Sequence, residues 1–363
     1  LPYATATGFK YDSGAFERTM DRTLARADWN GFASRKRATE QAGKLRGRAL
    51  AVYIEAGGRF NERMEIRFDP SGAVTILAGT HSHGQGHATT YAQLVHEWLG
   101  VPFESIQFVQ GDTALVAFGR GTYAARSSLA GGGALRVAAD RIIEEARPVA
   151  AHLLETSADD LTFAEGHFAV EGTDRRISIV EVAKALFRPR GLPENFGAGL
   201  EASGVFVAPQ NHPNGCHVCE VEVDPETGEV KLDRYTVVDD VGRVINPLVV
   251  DGQVQGATVH GLGAALFEWP RYSGEGQPLA NTYGEYLLPT SDSVPRFEII
   301  HMESPTPTNP LGVKGAAESG TLAAPAVVVS AIEDALQPLD IRIRELPVTP
   351  AMIVDLIGTA RRA

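Results

Sequence analysis

Alternation of apolar and polar positions predicts two hairpins in separate parts of the chain. The first alternation runs over 64–78 and is interrupted by the turn sequence Asp69-Pro-Ser-Gly72. The second runs over 221–237 and is interrupted by Asp224-Pro-Glu-Thr-Gly228. Residues two apart on a strand face the same side, and Asp, Pro and Gly are typical turn residues. Each segment is therefore predicted to form two antiparallel strands.

Apolar residues at helical spacing predict helices between and after these strands. The predicted helices cover residues 14–46 (ending at Gly47), 91–99, 129–155, 179–187 and 247–267, and a further apolar helix begins near Ala323. The helix over 247–267 contains glycines at 252, 256, 261 and 263. Glycines on an exposed helix face are costly, so close backbone packing of this helix is expected.

Hairpins and helices alternate irregularly, which favours an α+β fold with mixed β-sheets and packed helices over a doubly wound parallel sheet. A length of 363 residues exceeds one average domain, so two lobes are expected. A Pro/Gly-rich connection within 158–200 marks the predicted boundary. The predicted ranges are 1–48 as an N-terminal arm and helix at the tail of a preceding domain, 49–200 as lobe A and 201–363 as lobe B.

The acidic composition excludes two classes of partner. The formal net charge of −12 and the pI near 5.3 argue against binding to nucleic acid or to an anionic membrane. No apolar run is long and uninterrupted enough to predict a transmembrane helix. Cys216 and Cys219 lie on a predicted strand without a second ligand pair, so they are interpreted as buried residues and not as a zinc site. Such low cysteine content fits a reducing, cytoplasmic location.

The loop His81-Ser-His-Gly-Gln-Gly-His87 precedes a predicted helix. Three histidines in seven residues suggest a metal site, but no HExxH-like helical spacing supports one. Gln85 stands between two glycines just before the helix start, where N–H groups favour a polar or anionic ligand. A polar turn with surface histidines is the alternative.

Two further segments could bind a polar ligand. The loop over 119–128 combines glycines, Thr122, two serines and Arg126 before a helix, which fits a phosphate-binding loop or, equally, a helix cap. It has no Walker sequence, so ATP hydrolysis is not favoured. Gln253 and Gln255 stand among valines on the glycine-rich helix, and a buried glutamine needs hydrogen-bonding partners.

Glu318 stands in a glycine-lined turn before an apolar helix, within the segment 309–321. Lys314 supplies a nearby cation, and Gly315 allows close approach of another group. A carboxylate displayed in this way is a candidate general base. The alternative is an acidic residue that interacts favourably with the helix dipole.

Taken in order along the chain, these segments resemble the molybdenum-binding large subunit of the xanthine dehydrogenase family, and most of all its bacterial carbon monoxide dehydrogenase-type branch. The chain resembles the C-terminal portion of that subunit, beginning near the end of the first molybdenum domain. The matching stretches are Tyr11-Asp-Ser-Gly14, His83-Gly-Gln-Gly-His87, Gly111-Asp-Thr113, Gly121-Thr-Tyr-Ala-Ala-Arg-Ser127, Glu222-Val-Asp-Pro-Glu-Thr-Gly228, Asp240-Val-Gly-Arg-Val-Ile-Asn-Pro247 and Gly312-Val-Lys-Gly-Ala-Ala-Glu-Ser-Gly320.

The resemblance implies hydroxylation of a carbon centre in a small molecule, such as an aldehyde or an N-heterocycle, with oxygen from water. It implies that Glu318 is the catalytic base, that molybdopterin with molybdenum is the cofactor, in its cytosine dinucleotide form, and that no residue of this chain is a metal ligand. The residues implied to bind this cofactor are Gln85, Gly86, His87, Thr122, Tyr123, Ala124, Arg126, Gln253, Lys314 and Gly315.

Two departures from the family pattern are Ala317, where glycine is usual before the glutamate, and Ala125, where serine commonly precedes the arginine. The resemblance further implies a preceding molybdenum domain, together with 2Fe-2S and FAD groups on partner subunits or on further domains. This polypeptide alone is therefore expected to be inactive. The alternatives are a non-catalytic cofactor-binding or scaffold member of the same fold, and a histidine-metal hydrolase using His81, His83 and His87.

Overall fold

A computed structural model of the chain describes residues 1–188, 191–193 and 196–362. Two compact units are present. Unit 1 comprises Leu1–Ala56, His212–Thr306 and Ala316–Ala363, and unit 2 comprises Gly57–Asn211 and Pro307–Gly315. Part of the predicted Pro/Gly-rich connection, at 189–190 and 194–195, lies outside the described residues.

The described part of the chain forms strands and eight helices in an irregular order, with bounds as follows. The strands are β1 (Tyr3–Ala4), β2 (Lys10–Tyr11), β3 (Leu45–Ile54), β4 (Asn61–Phe68), β5 (Val74–Ala78), β6 (Ile106–Gln110), β7 (Leu161–Ala164), β8 (His167–Val170), β9 (Arg176–Ser178), β10 (Glu201–Val207), β11 (Asn214–Val223), β12 (Val230–Asp240) and β13 (Phe297–Met302). The helices are α1 (Phe16–Arg26), α2 (Phe32–Gln41), α3 (His87–Leu99), α4 (Gly132–Leu153), α5 (Ile179–Leu186), α6 (Pro247–Leu266), α7 (Ser319–Leu336) and α8 (Pro350–Ala360).

Unit 2 is built on a four-stranded sheet in the order β10-β4-β5-β6. The predicted hairpin is present, since β4 and β5 are antiparallel, and β6 then runs parallel to β5. Helix α4 packs on β10 and β4. Gly204 permits this approach, because a Cβ there would lie 2.1 Å from the carbonyl oxygen of Ala134. The buried face includes Met64, Ile66 and Ile142.

Unit 1 is built on a second four-stranded sheet in the order β13-β12-β11-β3. The predicted hairpin of β11 and β12 is antiparallel, whereas β13 runs parallel to β12. Helix α7 packs on β3 and β11, and α6 packs on α7. Parallel and antiparallel pairs occur in both sheets, with helices packed against them, which confirms the α+β class.

Pairing of β3 with β11 makes the units differ from the predicted lobes. β3 aligns residue by residue with β11, from Leu45 opposite Val223 to Ile54 opposite Asn214. Residues 49–56 therefore lie in unit 1, not in the same unit as 57–200. In the same way β10, which was assigned to lobe B, pairs with β4 and lies in unit 2.

The predicted helix over 14–46 is two helices, α1 and α2. The chain turns between them at Asp28, whose φ of 51° is left-handed. Gly47 does not end a helix but lies inside β3, where a Cβ would be 2.0 Å from the carbonyl oxygen of Ala331 on α7. The glycine is needed because helix and strand backbones approach closely.

The glycines of α6 fulfil the packing prediction only in part. A Cβ at Gly261 would lie 2.6 Å from Cβ of Ala324 on α7, whereas a Cβ at Gly263 would meet chiefly the end of the Glu268 side chain. A Cβ at Gly252 or Gly256 would meet no atom within 4 Å in the described part of the chain. Close helix packing therefore explains Gly261 and not the two earlier glycines.

Helix α7 forms the centre of the unit 1 core. By length and composition alone, the segment Ser319–Leu339 is apolar enough to cross a membrane. However, Val327, Val328 and Ile332 on this helix are fully buried against the sheet and α6. Its apolar composition is therefore explained by core packing. Cys216 and Cys219 on the neighbouring strand β11 are buried, as predicted, and both are free thiols.

Candidate functional site

The loop between β5 and α3 is held in shape by Gln85 and two glycines. Gly84 and Gly86 have φ of 128° and 70°, which only glycine adopts readily. The Gln85 carboxamide oxygen accepts from the backbone N–H of His83 at 2.5 Å, and its nitrogen lies 3.1 Å from Nδ1 of the same histidine. Gln85 therefore shapes the turn as well as being a candidate ligand residue.

Helix α3 begins at His87 with no side-chain cap, which leaves the N–H groups of its first turn for another acceptor. His87 is 4% exposed, and its Nδ1 has no hydrogen-bond partner among the described residues. Burial, together with the neighbouring imidazoles of His83 and His81, lowers the pKa of His87 to about 4. The side chain is therefore neutral and able to bond a polar group that reaches it.

The loop over 119–126 is joined to the first loop by hydrogen bonds, one of them from the backbone N–H of Gly121 to the carbonyl oxygen of Gly79 at 3.1 Å. The backbone N–H of His81 donates to Oγ1 of Thr122 at 3.1 Å, and that hydroxyl lies 2.8 Å from Oγ of Ser127. Ala124 and Ala125 both have left-handed φ, 48° and 51°. Consecutive left-handed residues other than glycine are strained, and such strain is concentrated at ligand-binding loops.

Arg126 holds the second loop from inside the unit and is fully buried. Its guanidinium donates to the carboxylate of Glu62 and the carbonyl oxygen of Gly121, both at 2.6 Å, and to the carbonyl oxygens of Asn61 at 2.8 Å and Arg59 at 3.1 Å. Four of the five N–H groups of Arg126 thus donate within this chain, and the buried side chain shapes the loop. Its contact with the cofactor stays a prediction.

The segment before Glu318 packs on the same loop. The Asn309 side chain donates to the carbonyl oxygen of Val313 at 2.8 Å and accepts from backbone N–H groups, which closes the turn. A Cβ at Gly315 would lie 2.0 Å from Cβ of Ala125. Gly315 and the buried Lys314 thus lie beside the strained alanines of unit 2.

In unit 1, Glu318 is the residue just before α7 and its side chain is exposed. The helix begins at Ser319, four residues before the predicted start. A Cβ at Gly320 would lie 2.5 Å from the carbonyl oxygen of Val254, so this helix start is tightly packed on α6. The half-buried Gln253 is the residue preceding Val254 and lies on α6, beside the α7 start that carries Glu318.

Glu55 is a site residue that the sequence reasoning missed. It follows β3 directly and is hydrogen-bonded to Glu318 and to Ser319. Burial and the neighbouring carboxylate of Glu318 raise the pKa of Glu55 to about 8. The available signal was a single acidic residue that ends the apolar run 49–54.

The predicted site residues fall into two groups. Unit 2 contains Gln85, Gly86, His87, Thr122, Tyr123, Ala124, Arg126, Lys314 and Gly315, whereas Gln253 and Glu318 belong to unit 1. The chain passes from one unit to the other between Gly315 and Ala316. Within the described ranges, no three His, Cys, Asp or Glu side chains are grouped to hold a metal ion, so the histidine-metal alternative gains no support.

Comparison with known proteins identifies the family. A family described as molybdopterin cofactor-binding domain matches residues 22–295. The chain is 36% identical to the nicotine 6-hydroxylase large subunit of Paenarthrobacter nicotinovorans, over 98% of this chain and 45% of that protein. It is 34% identical to the carbon monoxide dehydrogenase large chain of Hydrogenophaga pseudoflava, over 96% of this chain and 45% of that protein.

Solved structures agree with the sequence comparison. A Cu,Mo-CO dehydrogenase has a TM-score of 0.91 at 29% identity, over 99% of this chain and 48% of that one. Quinoline 2-oxidoreductase from Pseudomonas putida 86 has a TM-score of 0.90 at 32% identity, over 98% of this chain and 47% of that one. The chain spans about half the length of these relatives. It belongs to the molybdopterin cofactor-binding domain family, within the xanthine dehydrogenase-type molybdenum enzymes, as its motifs predicted.

Proposed function

We propose that the chain forms the molybdopterin-holding part of an enzyme that hydroxylates a carbon centre of a small molecule with oxygen from water. The observation that carries the proposal is the exposed carboxylate of Glu318 at a tightly packed helix start, in a chain of a molybdopterin-binding family. Glu318 takes up the proton released when the oxygen nucleophile attacks the substrate. When bound, the molybdenum cofactor accepts the electrons removed from the substrate.

The cofactor is proposed to lie against the joined loops of unit 2. A Cβ at Gly84 or Gly121 would meet no atom of the described residues within 4 Å, so both loops border open space. The uncapped start of α3 offers N–H groups to phosphate oxygens, and the unpartnered Nδ1 of His87 offers one more polar contact. These features suit a dinucleotide form with its additional phosphate, for which the cytosine form is proposed.

Other residues are assigned supporting roles. Thr122, Tyr123 and Ala124 shape the phosphate end of the cradle, while Gln253, Lys314 and Gly315 lie in segments proposed to contact the pterin. Gln85 and Gly86 are proposed to lie towards the metal end. Exposed backbone at strained positions is suited to close approach of an anion.

The complete enzyme is proposed to need more than this chain. Relatives of twice its length are large subunits or chains of enzymes, and one is named subunit gamma of a dehydrogenase complex. We propose that a preceding molybdenum domain completes the substrate pocket and that partner subunits supply 2Fe-2S and FAD groups. The location is proposed to be cytoplasmic. On its own the chain is expected to show no turnover.

The test compares wild-type, Glu318→Gln and Glu275→Gln forms of the complete complex. Oxidation of carbon monoxide, nicotine and quinoline is followed with an artificial electron-accepting dye, and molybdenum is measured by elemental analysis. Glu318→Gln should lower kcat by about 10²–10⁴-fold with molybdenum retained. Glu275, an exposed turn residue, is the matched control and should change neither quantity. A Glu318→Gln complex that keeps its rate would refute the proposed base.

A non-catalytic member of the fold is the second candidate, and Ala317 beside the base is the feature that favours it. The two candidates differ in metal content and turnover of the natively purified complex. Molybdenum with iron and flavin, together with oxidation of any panel compound, supports the enzyme. Absence of all three groups supports the scaffold.

A further inference from the structure

We propose that Glu55 is a positioning residue for Glu318, and that the two carboxyl groups share one proton so that neutral Glu55 holds Glu318 as an oriented carboxylate. This inference rests on the proposed function of Glu318 as the base. A hydrogen bond between two carboxyl groups requires a proton on one of them, because two carboxylates in contact repel. The bond between these side chains therefore defines a protonated and an ionised partner.

Rigid elements bring the two side chains together. Helix α7 runs along β3 in the opposite direction, with Gly47 against Ala331 at one end. At the other end, Glu55 contacts Glu318 and Ser319. Between these ends, the backbone N–H of Arg48 donates to Oδ2 of Asp334 at 2.9 Å. Contacts along the length of the strand and helix fix their register, so the carboxyl pair does not depend on a mobile loop.

The surroundings assign the proton to Glu55. Its Oε2 is buried and makes no hydrogen bond among the described residues, whereas Glu318 is exposed to solvent. The backbone N–H of Glu55 donates to the carbonyl oxygen of Pro213 at 2.9 Å, which anchors the strand end. Water stabilises a charge at Glu318 far better than the interior does at Glu55, so the ionised partner is Glu318.

The neighbouring carboxylate favours the same assignment. Glu318, just before α7, acts directly on Glu55, whereas Asp239 and Asp240 from β12 act on the adjacent Tyr53. Asp239 is itself bonded to His301 at 2.7 Å. From β11, His217 packs on the Tyr53 ring with centroids 5.7 Å apart.

His217 contributes no charge, because burial lowers its pKa to about 3. Burial and the adjacent Glu318 carboxylate both penalise a charge on Glu55. Glu55 is therefore protonated at neutral pH, and its hydroxyl donates to the Glu318 carboxylate. When Glu318 takes a proton from the nucleophile, Glu55 keeps its own, and no electron moves in this step.

The direct test is infrared spectroscopy of the full chain with ¹³C-labelled glutamate. A protonated carboxyl band is expected at pH 7, absent from Glu55→Gln, and lost from wild type as pH rises through about 8. Glu275→Gln controls for removal of one exposed carboxylate and should leave the band unchanged. Wild type without a protonated glutamate at pH 7, or a band that survives Glu55→Gln, overturns the proposal.

Kinetics of the complex supply the second test, with the panel compound that wild type oxidises fastest. The carboxamide introduced by Glu55→Gln still has a donor and does not ionise, so this variant should lose the alkaline decline of kcat. Glu55→Ala has no donor, so its kcat should be about tenfold below that of Glu55→Gln. That factor corresponds to the loss of one hydrogen bond to a charged group. KM should stay the same.

Equal kcat and equal pH profiles for the Ala variant and wild type overturn the pairing, even if Glu318→Gln is inactive. Failure of Glu318→Gln to lower turnover refutes the base itself, whatever the infrared result.

Discussion

Arg126→Ala should lower the free energy of unfolding of unit 2 by about 3–5 kcal/mol. Arg126 and Glu62 are both 0% exposed and form an ion pair at 2.6 Å. Removing the guanidinium leaves the Glu62 carboxylate buried without its cation. It also leaves the carbonyl oxygens of Arg59, Asn61 and Gly121 without their donor.

Two backbone N–H groups limit the loss. Glu62 also accepts from the N–H of Arg63 at 3.0 Å and of Arg120 at 3.3 Å, so its charge keeps some stabilisation. A loss of this size is large against the total stability of a typical domain, and it corresponds to a fall in Tm of about 6–20 °C. The strained turn at Ala124 and Ala125 should lose its shape before the sheet does.

Urea unfolding followed by tryptophan fluorescence gives the measurement, since Trp98 belongs to unit 2 and the other two tryptophans to unit 1. Arg120→Ala is the matched control, because that exposed side chain donates to Asn61 at 2.9 Å and lies over the exposed rings of Phe60 and Phe118, so its loss should cost about 1 kcal/mol. Arg126→Met combined with Glu62→Gln should recover part of the loss. An Arg126→Ala variant as stable as Arg120→Ala would show that the buried pair does not hold the loop.

Three further outcomes are expected. Gly315→Ala should reduce molybdenum retention in the complete complex, measured by elemental analysis, because the new Cβ overlaps Ala125; full retention would contradict the close approach. Gly47→Ala should cost several kcal/mol in urea unfolding, while Gly252→Ala, with open space around it, should stabilise the full chain by up to about 1 kcal/mol. Although burial lowers the pKa of His301, bonds to Asp239 and Asp251 raise it overall from 6.5 to about 8. The stabilisation that protonated His301 gives the folded state is therefore complete below pH 6.5 and is lost as pH rises through 8. Tm should therefore fall over that range in wild type and less in His301→Gln, and equal slopes would refute the assignment.

Local patterns predicted most of the elements. The two hairpins, α3 with Gly100 after it, and α6 with Pro247 at its start agree with the sequence reasoning because turn residues and apolar periodicity act over a few positions. The α+β class followed from their irregular order. The family was predicted from seven short motifs, because both their sequences and their order along the chain resemble the family.

Long-range pairing could not be predicted in the same way. Nothing in the apolar run of β3 specifies a partner about 160 residues later, so the predicted boundary at 48 split a strand from its sheet. Arg126 was predicted to help bind phosphate because its loop is polar, and its buried ion pair with Glu62 on β4 could not be predicted from that loop. Glu55 escaped notice because its role arises only where β3 meets α7.

The two ends of the segment Gly57–Asn211 are held together by a pair of backbone hydrogen bonds, each 2.9 Å long, between the terminal residues themselves. During translation this segment leaves the ribosome whole while β3, made earlier, still lacks β11. Although β3 is made before the Gly57–Asn211 segment, it is thus expected to join its sheet only after that segment has folded. Until residues beyond 212 emerge, β3 has no β11 to pair with in the nascent chain. An unpaired strand is prone to aggregation, which makes β3 the natural place for a chaperone to act.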